Sequence, residues 1–246
     1  MRTRRVHKLE SATSEITMNL AATSFIMISL VQVGLSAGFA LRAPSPRMAA
    51  PPSISFEDSL SLAPSFCEAL EKGDAPAGLP DFISTSAGAR GFFVHWLTND
   101  EYLVADDPTP PSLLADSLAS ANPEVIEVML MNVVMSSGTA VAHNRAGNQE
   151  QADSSQRTCN RATVLVNALW ERAATLRESC DALKRAVSAE LGEDVLVLDA
   201  GNDEERVDEW CAFLGKWQYD AEQLANIKAA LAVCGGEAQQ QEGEAD

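Results

Sequence analysis

Between residues 122 and 190, apolar positions recur three and four residues apart, the period of a helix, and two long elements follow from them. Asn122-Pro123-Glu124 predicts a helix start, with a polar cap, a proline where no donor is needed and an acid at the positive end. The helix runs to about residue 144 and is apolar on nearly every side, so it is expected at the centre of the fold. Arg145-Ala146-Gly147-Asn148 supplies its stop, with Gly147 suited to the C-terminal cap. A second helix is expected over 150–190. Its apolar residues Ala162, Val166, Leu169, Ala173, Leu176, Cys180, Leu183 and Val187 step 4-3-4-3-4-3-4. That is the seam of coiled-coil-like packing. The short turn at 145–149 folds it back on the first helix in preference to a second copy of the chain.

The flanking elements are shorter. Pro64 is expected to interrupt any helix begun at Glu57, leaving one over about 64–71. The next starts near Asp81 or Ser86 and ends at Leu97, with Phe92, Phe93, Trp96 and Leu97 turned inward. In it, Gly88-Ala89-Arg90-Gly91 lacks the strand and third glycine of a nucleotide loop, so close packing is its expected use. Residues 98–111 read as a loop and 112–121 as a short helix. Beyond Gly192, residues 195–198 read as an extended linker. A helix from Asn202 or Asp203 to Trp217 and a last one over 221–233 complete an all-α fold. The expected architecture is a helical bundle around the antiparallel pair 123–144 and 150–190, with two C-terminal helices.

Composition sharpens this picture. The chain has 246 residues, 46% hydrophobic, and a formal charge of −17, which excludes wholesale disorder and argues against general nucleic-acid binding. The charge is divided: residues 1–50 hold six basic and two acidic side chains, so the remainder carries −21. No acid occurs in the 41 residues between Glu15 and Glu57. A single helical domain is therefore expected over 55–234, followed by a disordered acidic tail over 235–246.

The acid-free front reads as an address. Arg2, Arg4, Arg5 and Lys8 precede an apolar core from Phe25 to about Leu35, short of the about 20 residues a membrane span needs. This signal peptide would end near Ser36-Ala37, and either Met1 or Met18 would start it. A membrane anchor over 21–40 is weakened by Gln32, Gly34, Ser36 and Gly38. The following Gly38-Phe39-Ala40-Leu41-Arg42-Ala43-Pro44 is basic and proline-bearing. Residues 18–52 thus resemble the bipartite presequence of algae with complex plastids, a signal peptide (1–37) followed by a transit peptide (38–54) opening on Phe. Gly38 between the small pair and Phe39 departs from the usual pattern. The resemblance implies a plastid address, with the stroma the first expectation and secretion the alternative. Five widely spaced cysteines without a C-x-x-C pair are read as reduced thiols, in keeping with a plastid.

Candidate chemistry is sparse. No metal-ligand spacing, nucleophile elbow or phosphate loop occurs, so no metal or cofactor is expected and the reading leans away from an enzyme. The richest cluster lies about the helix-helix turn: His143, Arg145, Arg157 and Arg161, basic groups in a body that has few, which together would suit an anion. His95 near the acid-bearing loop 98–111 is a candidate general base. The leading expectation is a helical protein acting through contact with a protein partner. The alternative is a small-molecule-binding protein or enzyme at the His143/Arg145/Arg157/Arg161 cluster, with His95. A transmembrane mature form is not expected; peripheral membrane association stays open.

Overall fold

Ser55 opens the first helix: its hydroxyl accepts from the Asp58 amide at 3.0 Å, with Glu57 and Asp58 in the first turn. In the computed structural model, which describes residues 54–193 and 203–235, this helix, α1, spans Phe56–Glu71 without a break. Pro64 therefore lies inside a helix it was expected to divide. A proline deprives the carbonyl four residues back of its helical donor. Here that carbonyl belongs to Leu60, and His95 Nε2 reaches it at 3.1 Å from a neighbouring helix. A side chain thus supplies the missing bond, which no local reading of the Pro64 segment could foresee.

Helices α2 (Leu79–Ile83) and α3 (Ser86–Thr98) follow, and α3 packs on α1. Its two glycines permit close approach: a Cβ on Gly91 would fall 2.8 Å from the Ser59 carbonyl carbon of α1, and one on Gly88 2.9 Å from the Phe82 carbonyl carbon of α2. A 3₁₀ turn (Leu103–Asp106) and helix α4 (Ser112–Ala119) lead to the central hairpin, α5 (Pro123–Arg145) and α6 (Gln149–Leu169). Gly147 stands in the left-handed conformation between them, φ +75°, as its expected cap role requires. Asn122 takes the cap position before α5, but its amide donates to the Ser84 carbonyl at 2.7 Å, joining α5 to the end of α2. By length and hydropathy α5 could cross a membrane; 72% of its most apolar window is instead buried within the fold. It packs against α6, α3 and two later helices, Ala174–Glu190 and Ala221–Ala232.

The expected helix 150–190 is two helices, α6 and α7 (Ala174–Glu190), parted at residues 170–173. No glycine or proline marks the break. Ala173 is extended (φ −131°, ψ 98°), and the Leu169 carbonyl accepts from both Arg172 N (2.9 Å) and Ala173 N (3.0 Å). Arg177 Nη1 donates to the Trp170 carbonyl, and the Asn167 amide takes Gly235 N at 2.8 Å. Local bonds and one to Gly235 past the last helix thus meet where α6 ends. All eight seam residues are nevertheless at most 7% exposed. The inward spacing is right and the continuity is not: α6 applies its half of the seam to α5, while α7 turns to α8 (Asp203–Trp217) and α9 (Ala221–Ala232).

Helix α9 starts on a capping box, Asp220 accepting from Gln223 N and Gln223 from Asp220 N. It is bound to α5 by polar bonds as well as by Leu224, Ile227 and Leu231. Asn226 Nδ2 donates to the Ser137 carbonyl (3.0 Å) and hydroxyl (2.9 Å), and Gln223 Nε2 to the Gly138 carbonyl (3.0 Å). No strand occurs among the described residues, and the fold is all-α. The address segments through residue 53, the linker expected at 195–198 and the tail from 236 lie outside the described residues.

Candidate functional site

Arg161 is the largest charged side chain in the core, 1% exposed, and all of its five N–H groups are used. Nε and Nη2 grip the two Asp106 carboxylate oxygens, each at 2.7 Å. Nη1 donates to the Trp96 (3.2 Å) and Asn99 (2.8 Å) carbonyls, and Nη2 to that of Tyr102 (2.9 Å). The end of α3 and the loop after it thus give five acceptor oxygens to one guanidinium. Two of the loop's donors go to one carboxylate: Glu71 of α1 accepts from Leu103 N (3.1 Å) and Val104 N (2.9 Å). Arg161 holds the Asp106 carboxyl below its ordinary range by hydrogen bonding first and charge second.

The other sequence-selected groups lie apart from that grip in what they bind. Arg157 pairs with Asp100 on the same loop, and Arg172, farther along, with Asp116. Arg145 reaches the opposite way, to Asp220 and Glu222 at the start of α9, and its hydrogen bonds hold the Asp220 carboxyl well below the usual range. His143 lies half-buried in the last turn of α5, where burial pulls its imidazole below the usual value. His95 faces Leu60 on α1, while Asp100 and Asp106 of the loop once set beside it are engaged by arginines. The structure therefore brings Arg157 and Arg161 to one loop, and directs Arg145 and His95 to two other places. Among the described residues no group of three or more His, Cys, Asp or Glu is arranged to hold a metal ion.

The His95 bond makes a quantitative prediction. His95→Ala should cost about 1–2 kcal/mol, because it leaves the half-buried Leu60 carbonyl without a donor. With Pro64→Ala the backbone N–H of residue 64 returns to Leu60, and the His95→Ala cost should shrink by about 1 kcal/mol. Equal costs in the two backgrounds, by denaturant unfolding, would contradict the repair role.

One group escaped the sequence reading. Glu127 on α5 is half-buried, and burial first, then Glu209 of α8, pushes its carboxyl up to about 7. Its sequence signal was an acid standing alone in an apolar run. Cys180 of α7 and Cys234 just past α9 are each fully buried, the Cys234 thiol donating to the Ala230 carbonyl at 3.7 Å.

Trp170 and Trp217 are both half-buried. The Lys184 ammonium stands 5.6 Å from the Trp170 ring centroid, and the Gly235 backbone lies so close that a Cβ there would be 2.5 Å from the indole. Large apolar side chains exposed among the described residues are Leu62, Leu103 and Val233.

Compared with known proteins, residues 55–234 match a family model described as uncharacterised conserved protein UCP020893. No curated protein and no solved structure matches the chain.

Proposed function

The chain belongs to the family of uncharacterised conserved proteins UCP020893, and we propose that it is a soluble helical protein of the plastid stroma that acts by protein contact, as an assembly, scaffold or regulatory binding factor. The observation that carries this reading is the internal use of the basic cluster. Arg145, Arg157 and Arg161 each bind carboxylates of this chain, in two different places, so the donors an anionic ligand would need are engaged within the fold. The body's balance of −21 then leaves an acidic exterior, which favours a partner with a basic face and speeds its encounter. The plastid address rests on the acid-free, Phe39-bearing front, and the family match beginning only at residue 55 supports reading that front as separate from the working body.

Native size separation of plastid stroma, with mass spectrometry of this chain's peptides, tests both halves. The expected result is a chain lacking peptides before about Phe39 that elutes with a large complex. Elution as a lone processed chain would overturn the contact reading, and absence from plastids would overturn the address.

A further inference from the structure

The loop after α3 displays an apolar side chain on a backbone that is tied down on both sides. Leu103 is 67% exposed, against 48% for Leu62 on α1 and 46% for Val233 at the end of α9. Its amide and that of Val104 donate to Glu71, and the Tyr102 carbonyl just before it accepts from Arg161. Tyr102 and Ala105, to either side, are buried and form the inner face of the turn. Scattered exposed leucines are ordinary on a protein surface, and exposure alone assigns them no role. What sets Leu103 apart is its setting. A guanidinium as deeply buried as that of Arg161 gives up its hydration, a penalty that apolar packing at the same place would not incur. That penalty fixes the turn in advance, which removes an ordering cost from any association made through it.

The surround is acidic. Residues 98–111 hold Asp100, Glu101, Asp106 and Asp107 and no Lys or Arg. All four acids are exposed, and Glu101 and Asp107 stand outside the pairs that Arg157 and Arg161 make with the other two. Glu68, one turn before Glu71 on α1, is exposed as well.

We propose that the turn 99–107 is the docking surface of this protein, with Leu103 its apolar anchor, and that it fits a protein partner bearing an apolar pocket rimmed by Lys and Arg. This rests on the contact reading above and gives it a place. A basic rim meets Glu101 and Asp107 while Arg157 and Arg161 stay engaged within the fold, and it speeds and orients the encounter. Entry of the leucine into a pocket adds the apolar burial that charges do not supply. A second copy of the chain is a poor occupant, because it would bring the same acids against these.

The test places benzoylphenylalanine at Leu103, Leu62 or Val233 of the full chain and photolyses each protein in an extract of its source cells. Position 103 is expected to give one protein adduct, mapped by mass spectrometry to a partner segment rich in Lys or Arg, and positions 62 and 233 none. Glu101→Gln with Asp107→Asn should lower that yield severalfold at low salt and little at about 0.5 M, where charges are screened. Leu103→Ser should lose co-elution with the partner yet keep its thermal midpoint within about 2 °C of the wild type, since its side chain is largely exposed. No adduct at 103, equal adducts at all three positions, or an adduct there to lipid, to a second copy or to an acidic segment would overturn the docking surface. So would a yield indifferent to the two acids, or unchanged co-elution of Leu103→Ser. In any of these cases the contact reading stands if the wild type elutes with a large complex, and both fall if it elutes alone.

Discussion

Replacing Arg161 with alanine should cost the fold about 3–5 kcal/mol, a large part of a typical domain's stability. The substitution removes five hydrogen bonds at once. It leaves Asp106 without its partner, withdraws a donor from the carbonyls of Trp96, Asn99 and Tyr102, and empties a site that is 1% exposed. Lysine at the position keeps the charge but presents one nitrogen in place of a planar fork, so Arg161→Lys should recover only a minor share. Urea unfolding measures both; a cost below about 1 kcal/mol for Arg161→Ala would mean that the loop 99–106 does not depend on this grip. By contrast Arg157→Ala, at an exposed pair, should cost no more than about 1 kcal/mol.

Glu127 should give the chain an unusual loss of stability between mild acid and neutral pH. Its carboxyl is raised from 4.5 to about 7, by burial and by Glu209 and Glu124, against the opposing charge of Arg206. Glu209 is itself raised, through burial and Glu205. A raised carboxyl binds its proton more tightly in the folded state. The associated stability is fully present below the unfolded value of about 4.5 and is lost as pH rises through about 7. The loss amounts to up to about 3 kcal/mol. Glu127→Gln, which stays neutral, should match the wild type below about pH 4.5 and exceed it by about that amount at pH 8. Unfolding curves of equal dependence on pH for the two proteins would contradict this. Asp106 and Asp220 act in the other direction: both are depressed, so their contribution is present above the ordinary carboxylate value and lost as pH falls through their folded values.

The sequence was most legible where local chemistry decides. Gly73, Gly147, Gly192 and Gly235 all adopt positive φ at helix ends, and each was readable from its place after a periodic run. The inward faces of α5, α7 and α9 were readable for the same reason, since periodicity reports burial. It does not report continuity. The break at 170–173 goes with Asn167 meeting Gly235, a contact made only once the C-terminal end has docked, and with Arg177 folding back to the Trp170 carbonyl, neither of which periodicity reports. Pro64 failed in the opposite sense, because the donor that rescues α1 comes from His95, 35 positions after Leu60.

The candidate site was legible as a list of residues and illegible as a geometry. Arg157 and Arg161 share a helical stripe and do reach one loop, yet nothing local says that Asp100 and Asp106 wait there. Arg145 is drawn to Asp220 and Glu222, whose positions are set by the capping box of α9. In an acidic chain with few cations, Arg145, Arg157 and Arg161 each meet a carboxylate of their own fold. The sequence count of charges favoured that outcome but could not assign the pairs.

Whether these arginines stitch the fold or hold a ligand is decided most directly by thermal unfolding in the presence of anions. Wild type and Arg157→Ala would each be titrated with inorganic phosphate and small dicarboxylates to about 10 mM, against chloride at equal ionic strength. If the basic groups are internal ties, the midpoint moves equally in the two proteins and without saturation. A saturable rise in the wild type that is absent from Arg157→Ala would contradict that account and restore the cluster as a binding site.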